Sequence, residues 1–252
     1  MRLSAPSTTF SLALLLGACA SSPEQDYNRS VADANFKLGI GYMQSGRLEV
    51  AAEKLLKALQ FDESSPETHN AIAVLYEDMR EYSPAETHYK RAIELKPDYT
   101  LAKLNYARFL CTREPVRTAE GESELQRIAD DPANAGANAS DAYAILGVCA
   151  RKRDDPAQAE TWLRKALELN PDNSSALMNM AELSQKQGNT LPARAFLQRY
   201  HAKNRPTPQS LWLGMLIEQA SDGDPQLRRE YGVALLSRFP DSDETRRLKH
   251  SP

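Results

Sequence analysis

The sequence repeats itself at an interval of about 34 residues, and this period constrains the fold more than any other feature. Each copy carries a pair of neighbouring residues, usually one large and apolar and the other small, and a later stretch with small residues spaced by leucine or tyrosine. That length suits two helices and a turn, and one such hairpin cannot bury its own apolar face. The copies must therefore stack to create a core. The pairs are Leu38-Gly39, Ile72-Ala73, Tyr106-Ala107, Leu146-Gly147, Met180-Ala181 and Gly214-Met215.

The spacing and residue types are those of the tetratricopeptide repeat. Six copies, starting near residues 32, 66, 100, 140, 174 and 208, occupy 32–241 and exceed the minimum of about three needed for stability. The sequence therefore predicts an all-α protein, an α-α superhelix of about six tetratricopeptide repeats forming a single elongated domain. The interval between the third and fourth copies is longer, and we expect residues 130–138 to form an irregular loop. Residues 242–252 are expected to be a C-terminal tail.

Composition and motifs argue against several classes of function. Lys and Arg number 31 against 34 Asp and Glu, so the net charge of -3 gives no electrostatic reason to expect nucleic-acid binding. No phosphate-binding glycine loop appears, and none of the four histidines forms an HExxH motif. The acidic residues are scattered over what we interpret as solvated helix faces. We therefore expect no enzymatic activity, no cofactor, no metal and no small-molecule substrate.

The first residues read as an export signal. Arg2 is followed by an apolar run from Phe10 to Ala18 that is too short to span a bilayer. The run ends in Leu16-Gly17-Ala18-Cys19, which resembles the lipobox of bacterial lipoproteins. The resemblance implies that residues 1–18 are a cleaved signal peptide and that Cys19 carries the lipid. The alternative is an ordinary signal peptide with an incidental cysteine.

The residues after the lipobox suggest where the protein goes. Residue 20 is Ala and not Asp, which in bacteria with two membranes favours sorting to the outer membrane. The lipid-anchored domain would then lie at the periplasmic face of the outer membrane. Residues 19–31 begin with a polar stretch rich in Ser, Pro and Asp, and we expect them to form a flexible tether.

Two further cysteines remain in the repeats. Cys111 and Cys149 fall late in the first helix of copies three and four, and adjacent first helices lie side by side in such arrays. We favour a disulfide between them, as an even count in an exported protein suggests. The alternative is two buried free thiols that act as small apolar residues.

A partner is expected to bind the concave face of the superhelix, which the first helices line. The part near the N-terminus looks apolar, and such a groove suits an amphipathic helix or an extended apolar peptide. The alternative is that these side chains pack beneath the tether or a neighbouring copy. A second candidate surface surrounds Trp212, which is either a core residue or an interface anchor. The candidate groove residues are Phe36, Ile40, Met43, Asn70, Val74, Glu77, Leu104 and Arg108.

The lipobox and the repeats together resemble one family, the type IV pilus biogenesis and stability lipoproteins of the PilF/PilW kind, also called secretin pilotins. The resemblance covers essentially the whole chain. The sequence departs from the family pattern at Leu104-Asn105, where two asparagines are usual, and at Arg113-Glu114-Pro115, where a short turn is usual. The stretches that carry it are 104–111, 146–150, 193–200 and 237–242.

This resemblance implies a binding protein of a secretion machine. Such proteins bind subunits of the outer-membrane secretin and support their localisation and assembly into the ring through which the pilus leaves. We therefore expect the secretin as protein partner and the membrane as a second partner through the lipid. The alternative is a lipid-anchored periplasmic scaffold that organises cell-wall or envelope-assembly enzymes.

Overall fold

The protein folds into helical hairpins stacked in sequence order. The computed structural model describes residues 22–220 and 223–250, and within them all regular secondary structure is helical. The predicted all-α repeat fold is therefore confirmed. The hairpins are α1 (Pro23–Gln44) with α2 (Leu48–Phe61), α3 (Pro66–Asp78) with α4 (Tyr82–Leu95), α5 (Thr100–Arg113) with α6 (Thr118–Asp130), α7 (Ala137–Lys152) with α8 (Pro156–Leu169), α9 (Ser174–Lys186) with α10 (Thr190–Lys203), and α11 (Pro208–Ile217) with α12 (Pro225–Arg238); a last helix, α13 (Asp243–His250), follows.

Two kinds of contact hold the stack together. The first helix of each hairpin packs against its own second helix and against the first helix of the next hairpin. The second helix also packs against the first helix of the following hairpin. The core is accordingly a series of apolar clusters distributed along the array. Because first helices contact one another from hairpin to hairpin, they line the inner side of the array.

Four of the hairpins share one turn conformation. A residue with positive φ follows the first helix in each, and the next residue donates its N–H to a carbonyl five positions earlier, over 2.8 to 3.0 Å. Glycine adopts this left-handed conformation at no steric cost, whereas other residues are strained there. The residues are Gly46, Arg80, Asp154 and Gly188. Hairpin three instead has a short 3-10 turn, Pro115–Arg117.

The predicted copy boundaries agree with the helices at four of six positions. Helices begin at Pro66, Thr100, Ser174 and Pro208, whereas residues 32 and 140 lie inside α1 and α7. The expected irregular loop is shorter than 130–138, since α6 continues to Asp130 and α7 begins at Ala137. A 3-10 turn, Pro132–Asn134, occupies part of the remainder. The additional residues of the third copy are thus divided between two connections.

The expected flexible tether is wrong for the residues that the structure describes, and the C-terminal tail contains a helix. Helix α1 begins at Pro23, because Ser22 caps it and exchanges hydrogen bonds with Gln25 in a capping box. Residues 23–31 are therefore helical. The tail contains α13, whose Thr245 is fully buried and whose Leu248 packs against the last hairpin, so it covers the end of the array. The predicted signal peptide, residues 1–18, and Cys19 lie outside the described residues.

A disulfide joins the first helices of hairpins three and four. It links Cys111 on α5 to Cys149 on α7, whose Cα atoms are 5.6 Å apart. Both residues belong to the cluster that α5, α6 and α7 share. The bond closes a loop across a sequence separation of 38 residues that contains both irregular connections. It therefore constrains the part of the array where the repeat period is interrupted.

A pair of histidines connects the two helices of hairpin two. The Nδ1 atoms of His69 and His88 are 2.9 Å apart, and Nε2 of His69 is 3.2 Å from the carbonyl oxygen of Glu63. Because a carbonyl only accepts, Nε2 of His69 carries its proton, and Nδ1 of neutral His69 accepts from His88. Burial lowers the pKa of His88 from 6.5 to about 4, and burial also lowers the pKa of His69.

The disulfide is expected to stabilise the centre of the array. Closing a loop of this length restricts the unfolded chain and contributes about 2 to 4 kcal/mol to the free energy of unfolding. The double substitution of Cys111→Ala and Cys149→Ala should lower the midpoint of thermal unfolding. Dithiothreitol should lower the midpoint of the parent protein by a similar amount. Circular dichroism melts measure both. Equal melts with and without reductant would show that the thiols are not bridged.

The histidine pair should make stability depend on pH. The unfolded chain takes up the His88 proton near pH 6.5 and the folded chain only near pH 4, so the unfolded state binds more protons between these values. The free energy of unfolding should therefore fall as pH decreases through this window. Urea unfolding at a series of pH values tests this. His88→Gln should flatten the dependence, and His250→Gln, at the exposed end of α13, should not.

Candidate partner-binding groove

The inner face of the first hairpin carries half-buried apolar side chains. Phe36, Ile40 and Met43 of α1 pack at the edge of the cluster that contains Ile72. Val74 of α3 is also half-buried, at the edge of the next cluster. These four predicted groove residues therefore lie where part of each side chain remains accessible to a partner. Helical spacing places the three residues of α1 on one face of that helix.

Three predicted groove residues are much less accessible. Leu104 is 3% exposed and belongs to the core shared by α5, α6 and α7, so its assignment to the groove is wrong. The physical reason is that α7 packs closely against α5 at the disulfide and covers this position. Asn70 is 7% exposed and accepts a hydrogen bond from Asn105 over 3.1 Å. Glu77 is 2% exposed and is surrounded by donors.

An ionic cluster centred on Glu77 occupies the inner face between hairpins two and three. Arg108 of α5 donates two hydrogen bonds of 2.9 Å, one to each carboxylate oxygen. Arg113 donates through Nε over 3.1 Å, and the Tyr89 hydroxyl donates over 3.0 Å. The carboxylate is thus satisfied from three sides, and the bidentate contact fixes α5 relative to α3.

Burial and charge act in opposite directions in this cluster. Burial disfavours the charged form of Arg108, but the Glu77 carboxylate outweighs it and raises the pKa of the guanidinium. Burial and the same carboxylate raise the pKa of Tyr89 well above its usual range. The hydroxyl therefore remains a donor at any physiological pH. The side chain of Arg108 is still 30% exposed, so this predicted groove residue faces both the cluster and the groove.

A second polar junction follows two hairpins further along. Arg151 of α7 donates to the Asn179 amide oxygen and, over 2.5 Å, to Glu182, both on α9. The sequence analysis missed this junction; the signal that could have indicated it is the occurrence of Arg151 and Glu182 at inner positions of successive copies. The inner face thus carries half-buried apolar side chains in hairpins one and two, and paired charges join hairpin two to three and hairpin four to five.

The Trp212 surface does not form a second groove among the described residues. Trp212 is half-buried and packs at the edge of the cluster formed by α11, α12 and α13. Within residues 22–220 and 223–250, no group of three or more His, Cys, Asp or Glu is arranged to hold a metal ion. None of the helices described is both long enough and apolar enough to cross a membrane.

Removing the Glu77 carboxylate should be costly. Glu77→Ala would leave the buried Tyr89 hydroxyl and the partly exposed Arg108 guanidinium without their acceptor, which costs about 1 to 3 kcal/mol. Glu67→Ala is the matched control, because Glu67 and Lys96 are about half exposed and 3.5 Å apart, and such pairs contribute about 0 to 1 kcal/mol. Denaturant unfolding of both variants measures the difference. Equal stabilities would show that the cluster does not hold α5 against α3.

Comparison with known proteins agrees with the repeat assignment. Models of tetratricopeptide repeats match residues 41–79, 66–99, 117–174 and 150–212. The chain is also 31% identical over 157 residues to the human protein O-mannosyl-transferase TMTC3, but that match spans 17% of the human protein.

Longer matches are found among proteins of pilus assembly. The chain is 31% identical over 241 residues to the type IV pilus assembly protein PilF of Pseudomonas aeruginosa, covering 93% of this chain and 94% of PilF. A solved structure of P. aeruginosa PilF superposes with a TM-score of 0.55 at 29% identity, covering 88% of this chain and 98% of that one. The structure of PilW, described as a widely conserved type IV pilus biogenesis factor, has the same fold, with a TM-score of 0.60, 24% identity and coverage of 87% and 98%. The chain therefore belongs to the PilF/PilW family of tetratricopeptide-repeat proteins of type IV pilus biogenesis.

Proposed function

We propose that this protein is a pilotin, an outer-membrane lipoprotein that binds secretin subunits and supports their localisation and assembly for type IV pilus biogenesis. The observation that carries the proposal is the full-length similarity to PilF, a type IV pilus assembly protein. The lipobox-like sequence before Cys19 supports the anchored part of the proposal. The groove supports the binding part.

The apolar part of the groove is the proposed contact for the secretin. Phe36, Ile40 and Met43 are half-buried, so a partner that covers them removes further apolar surface from water. The neighbouring ionic cluster at Glu77 already satisfies its own charges. It therefore serves to fix the shape of the groove, and the energy of binding comes mainly from hairpin one. An amphipathic or extended apolar segment of the secretin suits such a surface.

The proposed anchor places this groove close to a membrane. In the proposal, Cys19 is the acylated residue and α1 begins at Pro23, so few residues separate the lipid from the first hairpin. Three residues reach about 10 Å when extended. The apolar part of the groove lies 13 to 20 residues further along α1, about 20 to 30 Å at 1.5 Å per residue, so bound cargo would be held within about 40 Å of the outer membrane.

The proposal assigns no catalytic role to the chain. The similarity to a transferase is confined to a small part of that protein, as expected for shared repeats, and the helical hairpins account for nearly all of residues 22–250. A second candidate function is a lipid-anchored periplasmic scaffold for cell-wall or envelope-assembly enzymes. It shares the anchor and the repeats, and it differs in the partner.

Capture from solubilised membranes distinguishes the two functions. With the lipidated protein as bait in mild detergent, we expect the secretin to be recovered and identified by mass spectrometry. Ile40→Glu should remove most of the secretin because it places a charge in the apolar groove. Leu191→Glu is the matched control, since Leu191 is exposed on α10, away from the groove.

The anchor is tested in cells with Cys19→Ala. Assembled secretin rings should then be lost or mislocalised, while the protein itself is still produced. Recovery of cell-wall enzymes without secretin, together with intact rings in the Cys19→Ala strain, would instead support the envelope scaffold.

A further inference from the structure

The outer face of α1, at the N-terminal end of the array, is apolar and has no covering helix in the described part of the chain. Tyr27 is 64% exposed and Leu38 is 51% exposed, although Leu38 is the large member of the first repeat pair. Ala34 and Gly41 lie on the same face and are exposed as well. Phe36, two residues away, is on the opposite side of the helix, so this face is distinct from the groove.

The other hairpins show what covers this face when it is not at an end. The positions that correspond to Leu38 and Gly41 are fully or almost fully buried in hairpins two, four and five, each under the second helix of the preceding hairpin. Ile72 and Leu75 lie in one cluster with Leu55 of α2. The equivalent pairs are Leu146 with Cys149, clustered with Leu125 and Ile128 of α6, and Met180 with Leu183, clustered with Leu163 and Ala166 of α8.

Gly41 indicates how closely another helix can approach the outer face of α1. Gly41 stands where the later first helices carry Leu75, Phe109, Cys149 or Leu183, all buried. A Cβ atom built on Gly41 would meet no heavy atom within 4 Å. An incoming helix can therefore approach closely here and place a bulky side chain over the glycine. The two ends of the array differ in this respect, because α13 covers the last hairpin.

We propose that the outer face of α1 binds an amphipathic helix of a partner protein, which takes the place that a second helix of a preceding hairpin would occupy. Such a helix would present leucine, alanine or aromatic residues in one stripe, as α2 does with Leu48, Ala52 and Leu59 at its junction with α3. The inference goes beyond the proposed function, because it concerns a different face and does not depend on the secretin.

Two other occupants fit less well. A second copy facing α1 with its own α1 would place a first helix where the internal junctions place a second helix. The chain's own leader is not the proposed occupant, because the proposed processing before Cys19 removes residues 1–18; in this respect the inference rests on the proposed function. The matching faces of the internal junctions, by contrast, are all covered by a second helix.

The test uses the chain's own second helix as probe. A fluorescent peptide of residues 48–61, held helical by a lactam between the exposed Glu53 and Lys57, is titrated with the processed protein carrying Cys19→Ser. We expect saturable binding in fluorescence anisotropy. Leu38→Lys should weaken it at least about tenfold, as expected for the loss of one large buried apolar side chain. Leu191→Lys changes an exposed side chain of α10 and should leave the affinity unchanged. Leu59→Lys in the peptide should weaken the affinity.

Several results would overturn the proposal. No binding of a peptide that circular dichroism shows to be helical would do so, as would binding that Leu38→Lys does not affect. Dimerisation in sedimentation equilibrium that Leu38→Lys abolishes would identify a second copy as the occupant. Flotation with phospholipid vesicles that Leu38→Lys abolishes, without peptide binding, would identify a membrane surface. Failure of secretin capture would leave the peptide result unaffected, so the two proposals can fail separately.

Discussion

The close approach of two helices within each hairpin is the contact on which the rest of the array depends. A Cβ atom added to Gly39 would lie 2.6 Å from Leu55, and one added to Gly147 would lie 2.6 Å from Leu163. These distances are too short for any side chain, so the second helix rests directly on the backbone of the first. The two helices then form one rigid layer with an apolar face on each side. Stacking follows, because neither face can be buried within its own hairpin.

Hairpin three satisfies the same requirement in another way. There the glycine is on the second helix, since a Cβ atom at Gly121 would lie 2.5 Å from the carbonyl oxygen of Ala107. This explains why the second helix of that copy departs from the repeat pattern while the hairpin still packs closely. In hairpin six, Gly214 and not Met215 occupies the small position, against the ring of Tyr231. The register expected for that copy was therefore wrong by one residue. The pair of one large and one small residue in this copy is Leu213-Gly214.

The helices inside the array could be predicted from the sequence because each repeat position has the same neighbours in every copy. The ends could not be predicted in this way, since their neighbours differ. Helix α1 extends nine residues before the first copy through its own signals, the Ser22 cap and Pro23. At the other end α13 has only eight residues, and its burial of Thr245 depends on contacts with α11 and α12 that no local pattern encodes.

The same distinction explains what could be predicted of the groove. A repeat position indicates the direction of a side chain, and for Phe36, Ile40 and Met43 this was enough to place them on the inner surface. It does not indicate whether the neighbouring helix lies near enough to cover that side chain. Leu104 became a core residue because α7 approaches α5, and Glu77 became buried because two arginines of α5 converge on it. Inner positions are thus covered in the middle of the array, where a first helix contacts two other first helices, and they are more open in hairpin one, where α1 contacts a single first helix, α3, among the described residues. On the inner face, the predicted groove residues that remain accessible to a partner as apolar surface are therefore those near the N-terminal end, as a consequence of how repeats stack.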